Sequence, residues 1–210
     1  MKIKNTAGLV YIVFLFLSTP SAYSQTGKTG EGKLQTLSDR PAGFSVHYQG
    51  TLIKKNRGEY LIDLSGPANA EYGGGRVHIF ISRRPFVYLP GTYGGRYYFD
   101  TDESARTTSD YVRGDSVTFN GVKFARDYWA VYAGMGQWET VDNCYALHNG
   151  QYYTISLARD FKTVMPGQTV NGTRTTKEQL RSSLIEKMRD TSSVYVKSFN
   201  RILESFSITK

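Results

Sequence analysis

Of the chain's 210 residues one is cysteine, Cys144. A single thiol excludes an intramolecular disulfide, so the fold has to stand on its hydrophobic core. No cysteine lies near the small residues Ser21, Ala22 and Ser24, which excludes the thiol that a bacterial lipoprotein needs for its lipid anchor. Long hydrophobic runs are scarce too. After Leu17 charges interrupt every apolar stretch well before the roughly 18 residues a spanning helix requires, so no transmembrane segment is expected. There is no zinc knuckle, RNP-like sequence or helix-turn-helix spacing, and a nucleic-acid partner is set aside on that ground. No G-x-S-x-G elbow or S-x-x-K motif supports a serine hydrolase. Gly27-Lys28-Thr29 ends like a phosphate loop, but Ala22 stands where the first glycine is required and no strand precedes it.

What is present begins with charge and order at the front of the chain. Lys2 and Lys4 precede an apolar run from Gly8 to Leu17, and Pro20, Ser21, Ala22 and Ser24 follow. These are the three parts of a secretory signal peptide, with the cut expected between Ser24 and Gln25. Residues 1–24 are therefore read as a cleaved leader, and the working protein as periplasmic or extracellular. Losing Lys2 and Lys4 lowers the formal net charge from +8 to +6, which still favours an anionic partner. In a bacterial envelope that means phospholipid headgroups, lipopolysaccharide or acidic glycan.

Residues 25–33, rich in Gly, Thr and Lys, have nothing to bury and read as a disordered leader, with one globular domain over 34–210. Short runs of alternating apolar residues then predict strands at 43–48, 59–64, 76–81 and 85–89, half-buried in an antiparallel sheet. Polar residues 100–110 read as a loop or short helix. Asn120-Gly121 and Asn149-Gly150 predict tight hairpins within 115–134 and 141–160, because both turn residues can take positive φ. In the second hairpin Cys144, Ala146 and His148 are expected opposite Tyr152, Thr154 or their neighbours. After Pro166 the period changes. Thr175 with Glu178 three residues on predicts a capping box, and Leu180, Leu184, Ile185 and Met188 a helix behind it. Tyr195, Phe199, Ile202, Leu203 and Phe206 mark one stripe of a second helix, and residues 205–208 a final strand. Strands first and helices last predict an α+β fold, an antiparallel sheet with C-terminal helices packed on one face, with an α/β/α sandwich as the variant.

Four constellations bear on chemistry. Cys144 and His148 suggest a thiol nucleophile with its base. Four residues along one strand, however, separate them by roughly 13 Å. A buried, inert cysteine is expected. His47, His78 and His148 lack the short ligand spacing of a zinc site. Asp100, Asp102 and Glu103 lack the glycine and the distal glutamate of an EF-hand, and read as a solvated turn. Tyrosine is abundant, at 16 residues, and Tyr88, Tyr93, Tyr97 and Tyr98 lie close in sequence to Arg83, Arg84 and Arg96. Sharing a face, they would form a cationic and aromatic partner patch; the alternative is ordinary rim residues of a small sheet. No cofactor and no metal is predicted.

The segments RPAGFSVHYQG, VTFNGVKFARDY and FNRILESFSI together resemble PsbP-like domains. What the resemblance implies is a secreted α/β/α sandwich that binds or assembles without catalysis of its own, and no functional residue carries over. The Gly-Tyr stretch in the middle of the chain has no counterpart. A helix-grip or lipocalin-like container is the architectural alternative, although the one Gly-x-Trp, Gly136-Gln137-Trp138, lies mid-chain rather than on the first strand. Three functions follow as expectations: a non-enzymatic binding domain for a protein or anionic glycan, a carrier of a small apolar ligand between sheet and helices, and an enzyme whose site gathers distant residues.

Overall fold

The structure, a computed structural model, describes residues 33–56, 58–64, 75–83, 86–89, 95–98 and 111–209. The expected signal peptide, the leader up to Gly32 and the polar loop with Asp100, Asp102 and Glu103 lie outside the described residues.

In chain order the strands are β1 (Gln35–Asp39), β2 (Phe44–Tyr48), β3 (Thr51–Asn56), β4 (Glu59–Asp63), β5 (Arg76–Ser82), β6 (Phe86–Leu89), β7 (Gly95–Tyr98), β8 (Tyr111–Arg113) and β9 (Val117–Phe119). The long strands β10 (Val122–Gly134), β11 (Gln137–His148) and β12 (Gln151–Lys162) follow, then a short ribbon of β13 (Thr169–Val170) and β14 (Thr173–Arg174). Helices α1 (Lys177–Arg189) and α2 (Val194–Ser205) and strand β15 (Ser207–Ile208) close the fold.

The main sheet runs β3-β4-β5-β12-β11-β10-β8, with β9 paired to the start of β10, and all its pairings are antiparallel. A smaller sheet, β1-β2-β15, ties the two ends of the domain together. The described residues are thus mostly antiparallel sheet with two C-terminal helices, more sheet-rich than a balanced α+β sandwich. The period-two signal had marked β2, β4, β5 and β6, whereas β1, β3, β7 and β8 were missed. They are short or polar strands that acquire their form from the neighbours that pair with them.

Both helices lie on one face of the main sheet. α2 buries Tyr195, Val196, Phe199, Ile202 and Leu203. Opposite them stand Val77, Ile79, Phe124, Cys144, Ile155 and Leu157 from the sheet. The expected stripe is therefore the buried one, extended by Val196. Phe206 belongs to the stripe although the helix stops at Ser205, because its ring turns back onto Phe44, Phe124 and Tyr153 with centroids 5.4–6.1 Å away. The end of α2 is held by Asn120, whose Nδ2 donates to the carbonyls of Glu204 (2.5 Å) and Phe206 (3.2 Å). α1 sets Leu184, Ile185 and Met188 over Tyr128, Ala130, Trp138 and Phe161.

One expectation shifts by one residue. The capping box is built by Thr176 and Gln179: the Gln179 N–H donates to Thr176 Oγ1 at 3.1 Å, and the Thr176 N–H donates to Gln179 Oε1 at 2.9 Å. Thr175 is otherwise engaged, since its hydroxyl donates to the Gln168 carbonyl at 2.9 Å. In the β11–β12 hairpin a two-residue turn pairs His148 with Gln151, which puts Ala146 opposite Tyr153 and Cys144 opposite Ile155. These partners are the neighbours of Tyr152 and Thr154, as expected; Tyr152 and Thr154 themselves face Leu147 and Tyr145.

β11 and β12 are covered on both faces, with Val141, Asp142, Asn143 and Cys144 all buried in succession. They occupy the middle of the sheet, with helices over one face and β6 in contact with both strands. Position in the sheet, rather than the local pattern, decides this.

Candidate functional site

The predicted Tyr–Arg patch falls largely on a two-stranded ribbon. β6 pairs with β7 so that Tyr88 stands directly opposite Arg96, Val87 opposite Tyr97 and Phe86 opposite Tyr98. Arg83, just past β5, is exposed. Arg84 and Tyr93 lie outside the described residues. Four of the predicted members, Tyr88, Arg96, Tyr97 and Tyr98, are thus brought into one ribbon, and β6 runs against β11 and β12.

Cys144 and His148 do share strand β11. Cys144 is fully buried and His148 exposed at the hairpin end. Arg126 is directly opposite Cys144, and its guanidinium grips Asp142 with Nε to Oδ1 at 2.8 Å and Nη2 to Oδ2 at 2.5 Å. Burial works against the Arg126 charge, but the two bonds to Asp142 and its negative charge outweigh that and hold the guanidinium protonated. Burial, then the Asp142 carboxylate, push the Cys144 thiol well above its ordinary pKa. A thiol held in that form is a poor nucleophile. The other two histidines lie apart from it. His47 sits exposed on β2 with Nδ1 2.9 Å from Thr36 Oγ1, and His78 lies on β5, its ring parallel to that of Phe80. Among the described residues no group of three or more His, Cys, Asp or Glu side chains gathers as metal ligands would.

One polar constellation was missed by sequence reasoning. On the sheet face away from the helices, His78, Ser156, Asn143 and Asp127 are consecutive cross-strand neighbours on β5, β12, β11 and β10. All four are buried, at most 7% exposed. Ser156 donates its hydroxyl to Asn143 Oδ1 at 2.6 Å, which turns it away from any role as a base-activated nucleophile. Asn143 Nδ2 and, one step along, Thr154 Oγ1 are buried without a hydrogen-bond partner. His78 and Asp127 are three strand spacings apart, about 14 Å, too far to share a metal or a proton. The available signal was polar residues recurring on one parity of β11 and β12.

Between the sheet and α2 the space is filled. Ile79, Phe124, Cys144, Ile155, Phe199, Ile202, Leu203 and Phe206 have no solvent exposure, and Phe44 and Tyr60 pack edge to face at 5.3 Å. Side chains occupy the volume that a carrier would keep for its ligand. Two open grooves lie elsewhere. One of about 290 Å³ runs between the end of β2 and α2, lined by His47, Tyr48, Gln49, Ser198, Arg201 and Glu204. Another of about 310 Å³ lies at the turn end of β10, β11 and β12, beside Ala133, Gln137, Trp138, Asp160, Phe161 and Lys162. No helix among the described residues is long and apolar enough to cross a membrane.

No protein-family model and no curated protein matches the sequence. Several solved structures align with the chain, three of them as follows. A Bacteroides thetaiotaomicron protein aligns over 86% of this chain at 11% identity and a TM-score of 0.41, and the chain spans half of that protein's length. The Ran-binding protein Mog1p of Saccharomyces cerevisiae aligns over 85% of this chain and 97% of its own, at 6% identity and a TM-score of 0.43. The solution structure of cyanobacterial PsbP from Synechocystis sp. PCC 6803 aligns over 88% of this chain and 98% of its own, at 14% identity and a TM-score of 0.34. The chain has a weak PsbP-like resemblance.

Proposed function

We propose that the protein is a binding or assembly domain without catalysis of its own, acting outside the cytoplasm once residues 1–24 are removed, and contacting a protein or an anionic glycan through the ribbon of β6 and β7. The observation that carries this reading is the pairing that sets Tyr88 opposite Arg96, with Tyr97 and Tyr98 on the same ribbon. Arginine and tyrosine at paired positions are residue types that supply a charge, a flat apolar face and a hydroxyl, the chemistry that engages acidic sugars and acidic protein surfaces. The filled space under α2 weighs against the carrier reading. The buried, protonated Cys144 and the separation of His78 from Asp127 weigh against an enzyme assembled from these groups.

The test replaces Tyr88 and Arg96 by alanine, singly and together, and measures retention on immobilised polygalacturonate. A photo-crosslinking residue at position 88, with position 123 as control, reads protein contacts in producing cells. Weakened retention in the variants, or a discrete adduct from 88 that 123 does not give, supports the ribbon. Unchanged retention together with no adduct specific to 88 would overturn it.

A further inference from the structure

Four hairpins in the described structure turn on two residues at positive φ. In three the pair is Asn-Gly: Asn120-Gly121 (46° and 75°), Asn149-Gly150 (49° and 73°) and Asn171-Gly172 (49° and 79°). The fourth, between β10 and β11, takes the same backbone with Met135-Gly136 (50° and 76°). Asparagine tolerates this left-handed conformation through its short polar side chain, and methionine has no such compensation. Nor does packing compensate, because Met135 is 85% exposed. At one turn of four the chain thus accepts an unfavourable residue and holds a large apolar side chain out in water. A local rule broken without a structural return is the mark of a functional position.

The neighbourhood shares the property. Gly136 is clamped against the loop after β12: its carbonyl accepts from the Thr163 N–H at 2.8 Å, and a Cβ on it would stand 2.3 Å from the Thr163 carbonyl oxygen. Val164 and Met165, next on that loop, are exposed. The loop in turn holds the β13–β14 ribbon, through the Gly167 N–H to the Thr175 carbonyl at 2.7 Å and the Met165 N–H to Gln168 Oε1 at 3.0 Å. Val170 stands exposed on that ribbon. Four of the eight exposed large hydrophobic residues among those described therefore lie on three linked turns.

We propose that these turns form a docking surface for an anionic lipid bilayer, with Met135 as the side chain that enters the interface. Charge decides between a bilayer and a protein partner. Lys162 is directly opposite Gln137, the first residue after the Met135 turn, and Arg174 and Lys177 follow on β14 and at the start of α1. Of the acids nearby, Glu139 and Asp160 lie two residues further from the tip on the same strands, and Glu178 follows Lys177 in the first turn of α1, so Lys162 and Arg174 carry the unbalanced positive charge beside the turns. Exposed apolar side chains on the turns, with basic residues on the adjoining strands and helix start, suit an acyl boundary beside anionic headgroups. The formal charge of +6 left once residues 1–24 are removed acts in the same direction.

Co-sedimentation of the purified chain with phosphatidylglycerol vesicles, against phosphatidylcholine vesicles, tests the surface. Binding to the anionic vesicles is expected, weakening as salt rises. Met135→Asn restores the turn residue used in the other three hairpins, so it is expected to melt higher than the parent and yet bind vesicles about fivefold more weakly. Lys162→Gln is expected to bind more weakly with a shallower salt dependence. Failure of the parent to sediment with anionic vesicles overturns the proposal, as does a Met135→Asn variant that binds as well as the parent or melts lower. A photo-crosslinker at position 135 that yields a protein adduct and no lipid adduct also overturns it, in favour of a protein partner.

Discussion

At the side chain of Tyr60, on β4, burial and then the hydrogen bond it donates to Asp39 Oδ2 raise the phenol pKa to about 12. An unfolded tyrosine titrates near 10. The folded state therefore holds this proton more tightly, and the contribution to stability is fully present below about pH 10 and lost as pH rises towards 12. Tyr60→Phe should remove that part of the alkaline decline, and denaturant titrations of both proteins between pH 8 and 12 would show it. Equal slopes across this window would mean that the Tyr60–Asp39 contact does not couple pH to folding. At this scale the sequence was partly legible. The separation of Cys144 from His148 followed from their spacing along one strand. The Arg126–Asp142 pair that surrounds Cys144 did not, because residues 16 apart in sequence meet only through the β10–β11 register.

Helix α2 shows what periodicity by itself can settle. Its apolar residues recur at helical spacing, and a stripe of that kind has to be buried against something. The described core supplies the partner, with Phe199 fully buried and Lys197 exposed. Truncating a buried phenylalanine typically costs about 3–5 kcal/mol, a large share of the roughly 5–15 kcal/mol that stabilises a domain. Phe199→Ala should therefore lower the melting temperature sharply, whereas Lys197→Ala should leave it within a degree or two of the parent. Similar melting of the two variants would mean that α2 is not packed in this way. The neighbouring helix illustrates the limit of the same reasoning. Two threonines in a row both offer an N-cap, and the loop that occupies Thr175 hands the role to Thr176.

For the whole molecule, compartment and boundary remain matters of the leader. Lys2 and Lys4, the apolar run to Leu17 and the small residues up to Ser24 predict a mature chain that starts within a few residues of Gln25. Intact-mass measurement of the protein recovered from its producing cells tests this, and a mass that retains residues 1–20 would refute it. The main sheet adds a consequence of its own. Its central strands are covered on both faces, so buried polar residues such as Asn143 and Thr154 are enclosed where a lone strand would expose them.

Taken alone, the sequence determined the features that depend on neighbours in the chain. The Asn-Gly turns, the helical stripes, the alternating strands and the change from sheet to helix after Pro166 are all local, because turn dihedrals and side-chain periods act over a few residues. Tertiary structure decided the rest. It chose the strand order that places β5 beside β12, 70 or so residues away in the chain, and so aligned His78 with Ser156 and Asn143. It filled the space under α2, and it gathered Met135, Val164 and Val170 at one end. Such juxtapositions depend on which surfaces meet, and an alternating pattern shows that a face is to be buried without naming the face that will cover it.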